Sequence, residues 1–374
     1  MVRLGGKLPF REAQEEIAQF KALTVGVATI QRQTQQYGAA CEALAAAEVA
    51  RLERDGFREG ANRPKLMVSA DGCFVALTNG AWREVKTVAV GEYEARWDST
   101  QGGLAVETTA LSYFSRTFGV REFERQALGE LARRGLDRAR QIVAVNDGAS
   151  WIQSFIDYHA PQAIRILDFS HASGYVASIG KAILGEGDQF LSWYRRQCHQ
   201  LKHQPPQRTL ADLAWFGRQA TSIEQEATVA TALHYLRQRE AMIDYPHFRL
   251  RGLPIGSGSV ESSHKQVVQT RMTQAGMRWA ERHLNGFLAL RNLISNERWE
   301  EGWPATAAFF RQQRRAPRPA DVQPVSPPVT VADVQVADAP PDAVLPIPQP
   351  RPRRPFHLGP PSKWARFRAQ QANS

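Results

Sequence analysis

Apolar positions recur at helical spacing through FREAQEEIAQFKAL (10–23), pause at Thr24 and Gly26, and resume through ATIQRQTQQYGAACEALAAAEVARLERDG (28–56). This predicts two helices joined by a short glycine-containing turn, the outline of a helix-turn-helix or of an ordinary helical hairpin. In the first case Gln31, Arg32, Gln35 and Gln36 on the second helix would face a major groove, where such side chains bond base edges and phosphates. The period then changes. KLMVSADGCFVALT and WREVKTVAVGEYEA alternate Val, Phe and Thr with other residues around a turn at Gly80, and predict a β-hairpin or meander. REFERQALGELARRGLDRAR returns to helix. After it QIVAVNDGA reads as a buried strand ending in Asn-Asp-Gly, SWIQSFIDYH as a helix, and AIRILDFSH as a further apolar strand with His171 at its end. Antiparallel strands followed by strands that alternate with helices predict an α/β fold, a mixed sheet flanked by helices. From about 180 to 250 the text is helical and polar, which predicts an all-α insertion. The stretch from IGSGSVESSHKQVVQTRM to LRNLISNERW predicts one or two amphipathic helices.

Composition and charge refine this outline. The length of 374 residues allows two or three folded units, and 43% hydrophobic residues suffice for a core. No window approaches the 18 or so apolar residues of a membrane span, and MVRLGGKLPFREAQEE turns acidic before a signal-peptide core develops. The expectation is a cytoplasmic, nucleoid-associated protein without a membrane partner. Cys41, Cys73 and Cys198 form no CxxC pair, so neither a disulfide framework nor a zinc knuckle is indicated. A formal net charge of +10 points weakly toward a polyanion such as nucleic acid. Of the 22 prolines, 14 fall after residue 315, where an extended, mostly disordered tail with a basic end is expected.

The candidate chemistry lies in three carboxylates. Asp71 in SADG and Asp147 in VNDG sit at or near strand ends, where functional groups gather in sheets flanked by helices. Glu261 lies just inside the helix expected after Gly256-Ser257-Gly258-Ser259. Three hard oxygen donors suit Mg²⁺ or Mn²⁺ rather than zinc, and two such ions serve phosphodiester cleavage or transfer. Each carboxylate alone reads equally as a turn residue or a solvated helix face. Downstream of Glu261, at helical spacing, come His264, Lys265, Gln269 and Arg271. GSGSVES lacks the ending of a phosphate-binding loop, there is no GxSxG, and Cys198, His199 and His203 lack a matching second pair.

The ordered run SADG…WREVKT…VG, VNDGASWI, LDFSHASGYV, IGSGSVESSHKQVVQTRM…GMRW and LALRNLISNERW resembles the ISKra-type transposases of bacterial insertion sequences over roughly residues 9–300. The resemblance implies a DDE enzyme with an RNase H-like catalytic core, in which Asp71, Asp147 and Glu261 are the metal-binding triad for Mg²⁺ or Mn²⁺. LDFSH resembles the DxxH signature of related Mutator-like transposases, which implies that Asp168 and His171 lie beside the active site; His171 would be a catalytic residue contacting the scissile phosphate or a leaving 3′ oxygen, or else a buried histidine that orients a neighbour, and His264, three residues after Glu261, would support the site. Lys265, Arg271 and Arg278 would neutralise phosphates. The hairpin would be a helix-turn-helix reading terminal inverted repeats in double-stranded DNA, and a homodimer or higher multimer would pair two ends. The implied organisation is a DNA-binding region over 1–62, the core over 63–185 and 251–300, the insertion over 186–250 and the tail over 301–374. A catalytically silent DNA-binding remnant and an RNase H-like structure-selective nuclease remain open alternatives.

Overall fold

In a computed structural model that describes residues 1–57, 64–99, 103–258 and 264–315, the alternating segment forms β1 (Lys65–Ala76) and β2 (Trp82–Asp98), paired antiparallel around Gly80. A third antiparallel strand follows, β3 (Gly103–Arg116). The sequence reading had no strand here, because GLAVETTALSYFSR buries side chains only in its second half and so lacks a continuous apolar alternation. Beyond α4 (Val120–Arg133), β4 (Gln141–Asn146) pairs parallel to β1, and past α5 (Ser150–His159), β5 (Ile164–Leu167) pairs parallel to β4. The result is a mixed five-stranded sheet in the order β3-β2-β1-β4-β5, and the fold is α/β.

Successive strand residues point to opposite faces, and the two faces have different coverings. Leu66, Val68 and Ala70 of β1 and Ile142 and Ala144 of β4 pack with Phe123, Ala127 and Leu131 of α4 and Ile152, Phe155 and Ile156 of α5. On the other face Met67, Val143 and Val145 meet α6 (Phe169–Leu184) and the helices of the insertion, α7 (Asp188–His203), α8 (Pro206–Gly217), α9 (Ile223–Arg237) and α10 (Tyr245–Leu250). The same face at Val75, Val85, Ala89 and Tyr113 is covered by α11 (Leu284–Ser295) and by a π-helical turn over His264–Gln269 that runs on to Met272. Two separate cores thus share one sheet face.

The strand expected to run through His171 stops at Leu167. Asp168 caps α6 instead, its carboxylate accepting the His171 backbone N–H at 2.9 Å, so His171 lies in the first turn of a helix.

The N-terminal helices α1 (Val2–Lys7), α2 (Phe10–Lys21) and α3 (Val27–Asp55) belong to the same compact unit as the sheet, Met1–Phe310. Ala13 and Ile17 of α2 close on Ile30 of α3. Farther along, α3 lies directly on α11: a Cβ added to Gly38 would sit 2.8 Å from the Gly286 carbonyl oxygen, and one added to Gly286 would sit 2.8 Å from the Ala39 nitrogen. Only bare backbone permits that approach. The tail expected from residue 301 begins later, because α12 (Trp299–Arg315) is helical despite Pro304, and its Trp303 packs against Trp299 and Tyr37 with ring centroids 5.0 and 4.9 Å apart. Residues 316–374 lie outside the described residues. Among the described residues, no helix is long and apolar enough to cross a membrane.

Candidate functional site

The β1–β4 ladder pairs Lys65 with Gln141 through Val68 with Ala144. Side chains carry the pairing further at the same sequence offset of 76: Ser69 Oγ donates to the Val145 carbonyl at 2.6 Å, and the Ala70 N–H donates to Asn146 Oδ1 at 2.6 Å. Asp71 and Asp147 are the next pair in that register. Asp71 follows Met67 and Ser69, and Asp147 follows Val143 and Val145, so both belong to the face that carries the insertion core and the α11 core. Asp147 additionally closes a turn by accepting the Ala149 N–H at 3.0 Å.

The electrostatics fit two carboxylates held close together. Burial pushes the Asp71 carboxyl above its usual range, and Asp147 adds to the rise, against opposing contributions from His264, the Gly72 N–H and His171. Cys73, two residues along the same face, has its thiol pushed up to about 12 by burial first and then by Asp71 and Glu84. His264 comes from the π-helical turn, is 5% exposed, and sets Nδ1 3.5 Å from Asp71 Oδ2. Burial lowers its pKa, and its Nε2 is buried with no hydrogen-bond partner among the described residues.

The sequence-derived candidates divide by environment. Asp168 is 4% exposed and fully engaged: Oδ1 accepts from the Ser170 hydroxyl at 2.5 Å and the His171 N–H, and Oδ2 accepts from the Ser257 N–H at 2.5 Å. Burial works against its ionisation, but these hydrogen bonds outweigh it and hold the carboxyl below the usual range. Asp168 therefore fastens the start of α6 to the turn at Ser257. Arg271 departs from expectation, for it is 2% exposed and turned inward rather than toward a phosphate. Its guanidinium lies 4.9, 5.2 and 4.9 Å from the ring centroids of Phe10, Trp279 and Phe287 and donates to the Gly5 carbonyl. Three aromatic faces and the end of α1 hold this cation in place. Lys265, Arg278, Gln31, Arg32 and Gln36 are exposed, and Gln35 is half-buried. Glu261 lies outside the described residues. Trp151 and Trp279 pack in the two cores, Trp279 donating its indole N–H to the Met272 carbonyl at 2.9 Å.

Residues the sequence did not single out complete the surroundings. Gly148, at φ +39°, passes so close to the insertion that an added Cβ would meet Arg239 Nε at 2.3 Å and the Tyr235 hydroxyl at 2.7 Å. Arg239 Nη2 donates to the Gly148 carbonyl at 3.0 Å while its Cζ sits 3.8 Å from the Tyr235 ring centroid. Tyr235 stacks in turn on Tyr175 at 4.0 Å and 15°, and the His171 ring lies 5.6 and 6.0 Å from these two tyrosines. Burial raises the Tyr235 hydroxyl to about 12, with Arg239 opposing and with Tyr175 and Asp147 adding to the rise. The i,i+4 spacing of Tyr235 and Arg239 in YLRQRE is the only trace of this pair in the sequence.

Among the described residues no three His, Cys, Asp or Glu side chains converge as a metal-binding group; Asp71 and Asp147 are a pair. Their chemistry nevertheless fits a hard divalent cation: Asp147 adds to the proton affinity of Asp71, and a cation lying between two such carboxylates relieves that repulsion. No protein-family model matches the chain, and no curated protein matches it.

Proposed function

We propose that the chain is a DDE-type DNA transposase with an RNase H-like core, acting through a divalent-cation site built on Asp71 and Asp147 and completed by Glu261. The observation that carries this reading is the approach of two carboxylates, Asp71 within β1 and Asp147 in the turn directly after β4, the parallel neighbour of β1, close enough for Asp147 to raise the proton affinity of Asp71. A bound Mg²⁺ or Mn²⁺ would supply Lewis-acid charge to the attacking and leaving oxygens of a phosphodiester. Asp71 and Asp147 would hold it. His264 fixes the free carboxylate oxygen of Asp71, and Asp168 fastens the backbone at Ser257, a few residues ahead of Glu261. In this reading the exposed Lys265 and Arg278 would neutralise phosphates, and Gln31, Arg32, Gln35 and Gln36 of α3 would read the element's terminal inverted repeats. The reaction would be hydrolysis that frees a 3′-hydroxyl, followed by in-line attack of that hydroxyl on target DNA, with two chains pairing two ends.

The test uses purified full-length chain, Mg²⁺, and duplexes copied from the DNA flanking its own gene. Wild type is expected to cut at a flank terminus and join it to a plasmid, while Asp71→Asn and Glu261→Gln bind the duplex and do neither. Cutting without joining favours a structure-selective nuclease; binding without reaction in all three proteins removes the catalytic reading and leaves the silent remnant.

A further inference from the structure

The insertion packs on the sheet, and it also delivers one guanidinium to the backbone of Gly148, the residue after Asp147. Arg239 lies two residues beyond the end of α9, half-buried, and no carboxylate pairs with it among the described residues. Its position is determined on three sides: the Tyr235 ring beneath it at 3.8 Å, the Tyr235 carbonyl accepting from Nη1 at 3.3 Å, and the Gly148 carbonyl accepting from Nη2 at 3.0 Å. Gly148 directly follows Asp147. Both faces of Tyr235 are taken, one by Arg239 and the other by Tyr175, so the column has no gap into which a base could slide. What it presents beside the carboxylates is a pre-positioned cation with donors to spare, since a guanidinium carries five N–H groups and the two carbonyls occupy two. A stacked and immobilised arginine with no carboxylate partner among the described residues, bonded to the backbone directly after Asp147, suits one ligand chemistry, a phosphate oxygen of a nucleic-acid backbone, which Arg contacts with fixed geometry.

We infer that Arg239 grips a DNA phosphate at the Asp71–Asp147 site, with Tyr235 and Tyr175 as the post that holds it. The inference rests on the reading of that pair as a phosphodiester site and deepens it by naming the group on the insertion that places the strand. Arg239 touches the substrate in this account; Tyr235 and Tyr175 are positioning residues.

Full-length chain is titrated onto the flanking duplex over a range of salt concentrations, without divalent metal, as wild type, Arg239→Gln and Arg239→Lys. Arg239→Gln is expected to flatten the slope of log K against log salt by about one phosphate contact, and Arg239→Lys to restore it. A slope for Arg239→Gln equal to wild type overturns the inference. A second measurement needs no variant: phenylglyoxal modification of Arg239 in the wild-type chain, mapped by mass spectrometry, is expected to fall when the duplex is bound, and equal modification with and without bound duplex overturns it. If wild type cuts DNA and Asp71→Asn does not while Arg239 fails both measurements, the catalytic reading stands and this inference falls. If Arg239 passes and no DNA is cut, the phosphate contact stands and the catalytic reading falls; a chain that binds no DNA removes both.

Discussion

Arg271 and Arg239 show how differently one residue type is used in this chain. Arg271 is walled in by Phe10, Trp279 and Phe287, with burial pulling its pKa down to about 10. Removing it leaves a cavity between three rings and an unpaired Gly5 carbonyl, so Arg271→Ala is expected to cost about 3 kcal/mol of stability, read from a denaturant midpoint, with the salt slope of DNA binding unchanged. Wild-type stability with a flatter slope would show it to be a phosphate ligand after all. His159 provides a pH-dependent case. It is 2% exposed, its Nε2 lies 2.8 Å from the Glu124 carbonyl, and burial pulls its pKa down to about 3. The folded ring is therefore neutral with Nε2–H donating, whereas the unfolded ring titrates near about 6.5. The unfolded chain takes up the proton first, so this contribution is intact above about 6.5 and is lost as pH falls toward about 3, by about 2 kcal/mol at a pH of about 5. His159→Gln keeps a donor and removes the titration; its stability is expected to fall less steeply with acid than that of wild type, and parallel curves would contradict the assignment.

At the scale of elements, contacts between helices carry more than their individual propensities. Gly286→Ala would drive a methyl group into the backbone at Ala39 and Gly38, forcing α3 away from α11. A loss of about 2 kcal/mol is expected, measured as a shift in thermal midpoint, and an unshifted midpoint would mean that the two helices separate freely. Asp168→Ala removes the cap of α6 and the acceptor for the Ser257 N–H together, with an expected cost of about 2 kcal/mol; a neutral substitution would show that neither bond matters. These same elements mark what the sequence could and could not disclose. Hydrophobic pattern announces α2, α3 and α5, each of which buries one face, and β1, β2 and β4, whose apolar runs are buried on both faces of the sheet. It missed β3, whose exposed first half carries Glu107, Thr108 and Thr109, and it extended β5 into α6, because an N-cap aspartate after an apolar run reads the same as a strand end. The strand end before Asp147 was legible, but Asp71 lies within β1, which runs on through Gly72 to Ala76, so its Asp-Gly pair is no strand end; and the approach of Tyr235 and Arg239 to Gly148 depends on how the insertion folds back, a contact across 91 residues that no local pattern encodes. Arg271 was misplaced for a related reason: a charged residue on a helical pattern reads as solvated until the rings around it are known.

For the molecule as a whole, the sheet works as a platform with one closed face and one divided face. The closed face, under α4 and α5, is apolar core; the divided face carries Asp71 between the insertion core and the α11 core. If the chain binds DNA as proposed, its formal net charge of +10 would add a long-range attraction expected to weaken steeply with salt, by roughly one power of the salt concentration for each phosphate engaged. A binding constant insensitive to salt would exclude a backbone-gripping role for the exposed Lys265 and Arg278. The central claim, that Asp71 and Asp147 together form a divalent-cation site, is tested most directly by titrating Mn²⁺ into the full-length chain without DNA and following free Mn²⁺ by electron paramagnetic resonance. Wild type is expected to bind, with Asp71→Asn and Asp147→Asn each weakening binding by at least about tenfold; Mn²⁺ binding of wild-type strength in both variants would contradict the account.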